Sequence, residues 1–336
     1  MASKIDRPFR VLGFGSPLVD LRAEVSDDFL KENVPGGKGG TLHVTPAELD
    51  ELVSRLPEAP LTAPGGSAGN TVSALNRLGV GAELLGKAGD DEYGRFFRES
   101  FIRSGGTGCC IFSAPGAATG VCLSLTTPDG ERTMRSNLGS SLDLNAGELA
   151  TVDLRAFDLV LVEGYMIDCP VFDAVLEKAR TAGCRIAFDP GSFELATEHR
   201  EYFDRVIRDF ADILFINRAE AESLCGKPTP EKLAEELGRR CPCVVLKLGA
   251  RGALIKRRNE EAVAIPAFPA ERVVDTTAAG DMFAAGFLFG LAAGRRTREC
   301  GELGARLAAE IVGVSGTELP EAVWRKLGCQ FATAAE

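Results

Sequence analysis

Two carboxylates, Asp275 and Asp281, flank a run of small residues in VVDTTAAGDMFAAGFLF (273–289). A bare carboxylate is costly away from water unless it is paired or hydrogen-bonded, so each acid needs a partner or a task. Ala278, Ala279 and Gly280 are small enough to let a ligand approach the backbone, and 282–293 reads as the interior of an apolar helix. Unpaired N–H groups at such a helix start, with the macrodipole behind them, favour a negatively charged group. A second negative charge beside that anion suits a general base, one that takes a proton from a nucleophile aimed at a bound phosphate. The plainer alternative makes Asp281 a helix cap and Asp275 a turn residue.

A second stretch, PGGSAGNTVSALNRLG (64–79), is a glycine-rich loop feeding a helix. Val72, Leu75 and Leu78 can pack inward, which leaves Gly65, Gly66 and Asn70 near the helix start. Glycines there admit a polyol, and the Asn70 amide both donates to and accepts from hydroxyls. Two other phosphate-like patterns fail. GAELLGKA (81–88) places Ala88 where a P-loop needs a hydroxyl for Mg²⁺, and its interior has a strand pattern. GFG (13–15) follows the first apolar run, but Leu18 replaces the third glycine of a dinucleotide fingerprint.

Short apolar runs at 10–13, 82–85, 159–162, 185–188, 213–216 and 244–248 read as strands. Helical patterns at 69–78, 91–104, 171–182, 200–210, 219–225 and 230–240 alternate with them. Strand–helix–strand series need crossover connections, so the fold class is α/β, a mostly parallel sheet covered by helices on both faces. Segments 18–44 and 108–135 break this rhythm and contain no helix of crossover length. The second reads as a hairpin, with 118–126 and 132–136 joined by a turn at 128–130. The expectation is a single domain, 1–336, with a small β-sheet lid inserted as 18–44 and 108–135, and with frayed residues at 332–336.

With 336 residues, 45% of them hydrophobic, the chain can build a large core. Its net charge of −10 argues against a nucleic-acid partner, since that affinity comes from clustered Lys and Arg. No apolar run is long enough to span a bilayer. Ten scattered cysteines and two distant histidines offer neither a disulfide framework nor a zinc-ligand spacing, which fits the cytoplasm.

The GGSAGNTVSALNRLG and DTTAAGDMFAAGF segments resemble the two signatures of the ribokinase (PfkB) family of small-molecule kinases. Between them GKAGDDEYGRFF (86–97), INRAEAE (216–222) and LKLGARGAL (246–254) are similar to further landmarks in the family's order. The resemblance is nearest the adenosine-kinase-like branch, through GSPLVD, PGGSAGNT, ERTMRSNLGSS and VEGY. It implies a ribokinase-like fold and ATP-dependent phosphoryl transfer to a hydroxymethyl group of a sugar or nucleoside. Asp281 would be the general base, and the N–H groups of Ala279, Gly280 and Asp281 the anion hole. Asn217 and Glu220 would position Mg²⁺ and phosphate through water, as befits an ion that keeps its hydration shell. Lys247, Gly249 and Gly252 would lie along ATP, with Gly316 near the adenine. Asp20, Gly65, Gly66 and Asn70 would bind the acceptor, Asn137 would approach it, and Arg132 would lie near the phosphate path. Phe14, Phe112 and Tyr165 are the aromatic residues considered for stacking a base. Ala278 departs from the family's usual glycine; if that position requires φ > 0, alanine strains the turn by about 1 kcal/mol. The resemblance leaves open a monomer or a lid-mediated homodimer, and a non-catalytic binding protein on the same fold.

Overall fold

The computed structural model describes residues 7–129 and 131–333. Gly130, in the expected 128–130 turn, and residues 334–336 of the expected frayed end lie outside them. Among the described residues fourteen strands form two sheets.

The larger sheet begins with β1 (Arg10–Phe14), flanked by β5 (Gly81–Gly89) and β9 (Leu159–Glu163). Beyond β5 lies β6 (Ile111–Ala114); beyond β9 come β10 (Arg185–Asp189), β11 (Ile213–Asn217) and β12 (Cys243–Lys247), all parallel. The antiparallel pair β13 (Ala253–Arg257) and β14 (Val263–Ile265) closes the far edge. Within β9 to β12 the stretches LVLV, IAF, ILFI and CVVL are apolar throughout because both faces of these strands are covered. In β9, Leu159 and Leu161 belong to one core cluster, while Val160 and Val162 belong to the other. The helices Ser67–Arg77, Ala279–Ala292 and Thr297–Ile311 contribute to the first cluster, and Phe172–Thr181, Arg200–Asp209 and Pro230–Arg240 to the second.

The smaller sheet contains β2 (Leu18–Glu24), β3 (Thr41–His43), β4 (Leu61–Gly65), β7 (Thr119–Thr126) and β8 (Arg132–Gly139), in the order β3-β8-β7-β2-β4. The hairpin of β7 and β8 is present, but the segment bounds differ from expectation in two places. β6 joins the main sheet beside β5, with Ile111 and Ala114 buried there, so 111–114 does not belong to the small sheet. β4, whose last two residues belong to the stretch expected as a loop, adds an edge strand to the small sheet, where the missing N–H of Pro64 is tolerated. A seven-residue helix, Asp27–Asn33, capped by Ser26, also interrupts the 18–44 segment.

Candidate active site

Four neighbouring parallel strands each finish on a polar residue: Glu163 on β9, Asp189 on β10, Asn217 on β11 and Lys247 on β12. Ligands in such sheets gather beyond the carboxyl ends, where the strand order reverses; here that is β1, whose neighbours β5 and β9 lead away in opposite directions.

Glu163 is 1% exposed and accepts the amide of Ser16 at 2.7 Å and that of Ala68 at 2.8 Å. It thereby ties the turn between β1 and β2 to the first turn of the helix Ser67–Arg77. Burial pushes its pKa up to about 7. Gly15 has to be glycine, because a Cβ there would lie 2.6 Å from Glu163 Oε2. Replacing Glu163 with Gln sets an NH₂ group against one of the two amides and strands a buried donor. Unfolding at pH 8 should show a loss of about 1–3 kcal/mol, and an unchanged denaturation midpoint would refute the clasp.

Lys247 Nζ lies 2.8 Å from Asp189 Oδ2, while Asp189 Oδ1 accepts the Gly191 amide at 3.0 Å. Burial works against the ammonium, but the charges of Asp189, Glu220 and Asp281 outweigh it and hold the Lys247 pKa above its ordinary value. A Cβ on Gly280 would stand 3.1 Å from Nζ, so this cation faces the turn that precedes Asp281. Asn217 and Glu220 form a capping box on the helix Arg218–Cys225: Glu220 Oε2 accepts the Asn217 amide at 2.8 Å and Asn217 Oδ1 accepts the Glu220 amide at 3.0 Å. The Asn217 Nδ2 group donates to the second Glu220 oxygen. Burial, reinforced by Asp189, pushes the Glu220 pKa up to about 7.

Asp281 stands in the first turn of the helix Ala279–Ala292. Ser67 Oγ donates to its Oδ1 at 2.7 Å, Asn70 Nδ2 donates to its Oδ2 at 2.9 Å, and Thr71 Oγ1 reaches its carbonyl at 3.2 Å. The two signature stretches, 214 positions apart, therefore meet on one carboxylate. Burial pushes its pKa up to about 6, against the opposing hydrogen bonds from Asn70 and Ser67.

The expected three-amide anion hole is reduced to two. The Ala279 amide already donates to Thr276 O at 3.3 Å because the turn before the helix closes on itself. Among the described residues the amides of Gly280 and Asp281 have no acceptor. Ala278 adopts φ +60° and ψ 5°, the left-handed region, so the alanine is strained as the sequence suggested. Ala278→Gly should stabilise the fold by about 1 kcal/mol, read as a higher urea midpoint with an unchanged slope. No gain, or a loss, would show that this turn carries no strain.

Asp275 is a turn residue held by four donors. Its Oδ1 accepts the Thr277 amide at 2.9 Å, Thr277 Oγ1 at 2.7 Å and Arg132 Nη1 at 2.9 Å; its Oδ2 accepts the Gly316 amide at 3.0 Å. These bonds outweigh burial and hold its pKa below the usual value. Gly316, at φ +95°, is confined on its other side by Arg22, whose guanidinium a Cβ would strike at 2.4 Å. Arg132 also donates to Thr276 Oγ1 at 3.1 Å and to Thr277 Oγ1, and Arg22 Nη1 donates to Ser315 Oγ at 2.7 Å. Two arginines of the small sheet thus grip the main body on either side of the Asp275 turn.

Asp20 shares a face of the small sheet with those arginines, since residues alternate along a strand. It has no hydrogen-bond partner among the described residues, and a Cβ on Gly65 would meet its carboxylate at 2.3 Å. Burial, then the charge of Asp281, pushes its pKa up to about 7. Gly66, at φ +87°, packs against Ser16 O. The strand register places Asp20 beside Cys122, Cys122 beside Ser136, and Ser136 beside His43, a polar row across one face. Asn137 pairs with Val121 and so points to the other face, where its amide donates to Val44 O at 2.7 Å and accepts from Gly139 N at 2.8 Å. The expectation that Asn137 approaches the acceptor is therefore wrong: the pleat alternates, and the neighbouring Ser136 takes the inward position. Phe14 packs on Phe172 in the core with centroids 6.0 Å apart, and Phe112 packs against the same core cluster. Tyr165 follows Glu163 and donates its hydroxyl to Gly191 O at 3.0 Å. Of the expected ATP-side glycines, Gly249 has open space around a notional Cβ, whereas a Cβ on Gly252 would stand 2.0 Å from Ile265 O, so that glycine serves the packing of β14.

Residues 44–323 match the pfkB family carbohydrate kinase profile. The chain belongs to the PfkB family. A fructokinase-1 of Zea mays is 34% identical over 251 residues, spanning 69% of this chain and 76% of that one. An uncharacterized sugar kinase of Archaeoglobus fulgidus is 30% identical over 261 residues, spanning 74% of this chain and 99% of its own. The crystal structure of adenosine kinase from Sinorhizobium meliloti superposes with a TM-score of 0.87 at 31% identity, covering 98% of this chain and all of the other. This PfkB-family chain thus has the ribokinase-like fold, and its family is one of sugar and nucleoside kinases. Among its described residues no helix is long and apolar enough to cross a membrane.

Proposed function

We propose that this protein is an ATP- and Mg²⁺-dependent kinase that phosphorylates a hydroxymethyl group of a sugar or nucleoside. The observation that carries the reading is the setting of Asp281, a carboxylate oriented by Ser67 and Asn70 beside two amides free to take an anion. An acceptor hydroxyl gives its proton to Asp281 as its oxygen bonds to the γ-phosphorus. The bond from that phosphorus to the bridging oxygen breaks, and ADP leaves with the electron pair. The free amides and the Lys247 ammonium hold negative charge on the transferred group.

Among the described residues no cluster of three or more His, Cys, Asp or Glu side chains forms a metal cage. That fits Mg²⁺, which keeps several waters and uses one or two carboxylates together with substrate phosphates. Glu220 and Asp189 are the fitting carboxylates. Both Glu220 oxygens already accept from Asn217, so its contact with the ion would run through water. An ion held by these residues would supply positive charge against the phosphate oxygens.

Asp20 and the row Cys122, Ser136 and His43 face the acceptor side, and hydroxyl-rich ligands suit such a row. The small sheet acts as a lid that excludes water from the reaction. The names of the relatives, fructokinase and adenosine kinase, support both a sugar and a nucleoside acceptor. Cys110, Cys169, Cys241 and Cys243 are buried as thiols, in keeping with a cytoplasmic setting. ADP release measured across a panel of sugars and nucleosides tests the reading and names the acceptor. A compound that binds tightly while no member of the panel yields ADP would defeat it.

A further inference from the structure

A cavity of about 190 Å³ lies at the end of the main sheet away from Asp281. Its walls come from the first residues of β10, β11 and β12, the last residue of β13 and the helices Ala279–Ala292 and Thr297–Ile311. Leu291 lines it, ten positions beyond Asp281 on one helix and so about 15 Å further along that axis. The cavity is therefore separate from the reaction site.

Three arginines share this wall: Arg185, Arg257 and Arg295. None has a carboxylate within ion-pair distance among the described residues, in a chain whose net charge is −10. The nearby acids are committed elsewhere. Glu299 accepts from Arg296 through both its amide and its side chain and feels the charge of Arg295 only more weakly, and Glu302 faces Arg298. Asp212, the one carboxylate lining the cavity, accepts the Ile186 amide at 2.8 Å. Arg257, an exposed residue, lies beside Cys243 and near Cys300, two thiols of the same wall. Arg185 rests its guanidinium over the Phe9 ring at 5.4 Å, a contact that leaves its edge donors free.

Guanidinium groups that line one cavity repel one another unless a counter-ion joins them, and their planar donor forks match phosphate oxygens. Three of them against one carboxylate leave a surplus of two positive charges, the charge of a phosphate dianion. We propose that this cavity is a second anion site, which takes a phosphate dianion either free or as the terminal group of a small metabolite.

The test is calorimetric titration of inorganic phosphate, and separately of glycerol 3-phosphate, into the full-length protein and into the Arg257→Ala, Arg295→Ala double variant. The wild type should show one binding event that the double variant loses, or that it weakens by about tenfold or more, while any binding at the reaction site remains. Tighter binding of the ester than of inorganic phosphate would identify a metabolite as the source; the reverse would identify free phosphate. If the double variant fails to fold, Arg257→Gln and Arg295→Gln, made singly, should each weaken the same event. Equal binding in wild type and variants, or no such event with either probe, overturns the proposal.

Discussion

Asp281→Asn should lower kcat by about 10²- to 10⁴-fold, with much smaller changes in KM for either substrate. The amide is nearly isosteric and keeps an acceptor for the Ser67 hydroxyl, while the Asn70 amide can turn over to meet an NH₂ group. What is lost is the ability to take the proton. The pKa of about 6 sets the pH dependence: the base must be ionised, so the wild-type rate falls as the pH drops below about 6, and the variant lacks that limb. Stability moves the other way. A carboxyl whose pKa is raised by folding binds its proton more tightly in the native state. Its contribution is fully present below the ordinary carboxylate range and is lost as the pH rises through 6. At pH 8 the variant should therefore unfold at a higher temperature than the wild type while turning over far more slowly. ADP release between pH 5 and 9, with unfolding curves of the same samples, reads both effects. Equal turnover by the variant removes Asp281 from the chemistry.

Lys247→Met should destabilise the protein by about 3–5 kcal/mol, because it leaves Asp189 and Glu220 buried together without their cation. Turnover should fall as well, since the ammonium also faces the Gly280 turn. Stability and chemistry are separated by adding Asp189→Leu. An apolar pair of similar volume should restore most of the lost stability, yet turnover should stay below that of Asp189→Leu alone, the reference that removes the candidate Mg²⁺ carboxylate. Denaturant titration and ADP release on the single and double variants give the answer. Recovery of activity along with stability would reduce Lys247 to a scaffold residue.

The alternation of apolar runs and amphipathic helices was enough to read the main sheet and its class, because strands buried on both faces must be apolar throughout. The small sheet was read less well. β4 contains PG and an exposed Leu61, a pattern shared by edge strands and loops, and β6 is only four residues long. Ser67, Asn70 and Asp281 lie in recognisable stretches, but their meeting depends on tertiary packing between two helices. Asn137 was misplaced because its face depends on the strand register, which a single strand does not reveal. Glu163 and Asp189 were overlooked although a signal was present: each is a lone acid ending an apolar run, as in LVLVE and RIAFD. Asn217 and Lys247 end ILFIN and CVVLK in the same way.

The position of β1 between β5 and β9 has a consequence for synthesis on the ribosome. Val11 pairs with Leu159, 148 positions later, whereas its other neighbour begins at Gly81. At about 5–20 residues per second the nascent chain carries one bare edge of β1 for roughly 7–30 s before the partner emerges. During that interval the strand is a template for any extended segment nearby, so the growing polypeptide is open to mispairing along an edge that the finished molecule covers on both sides.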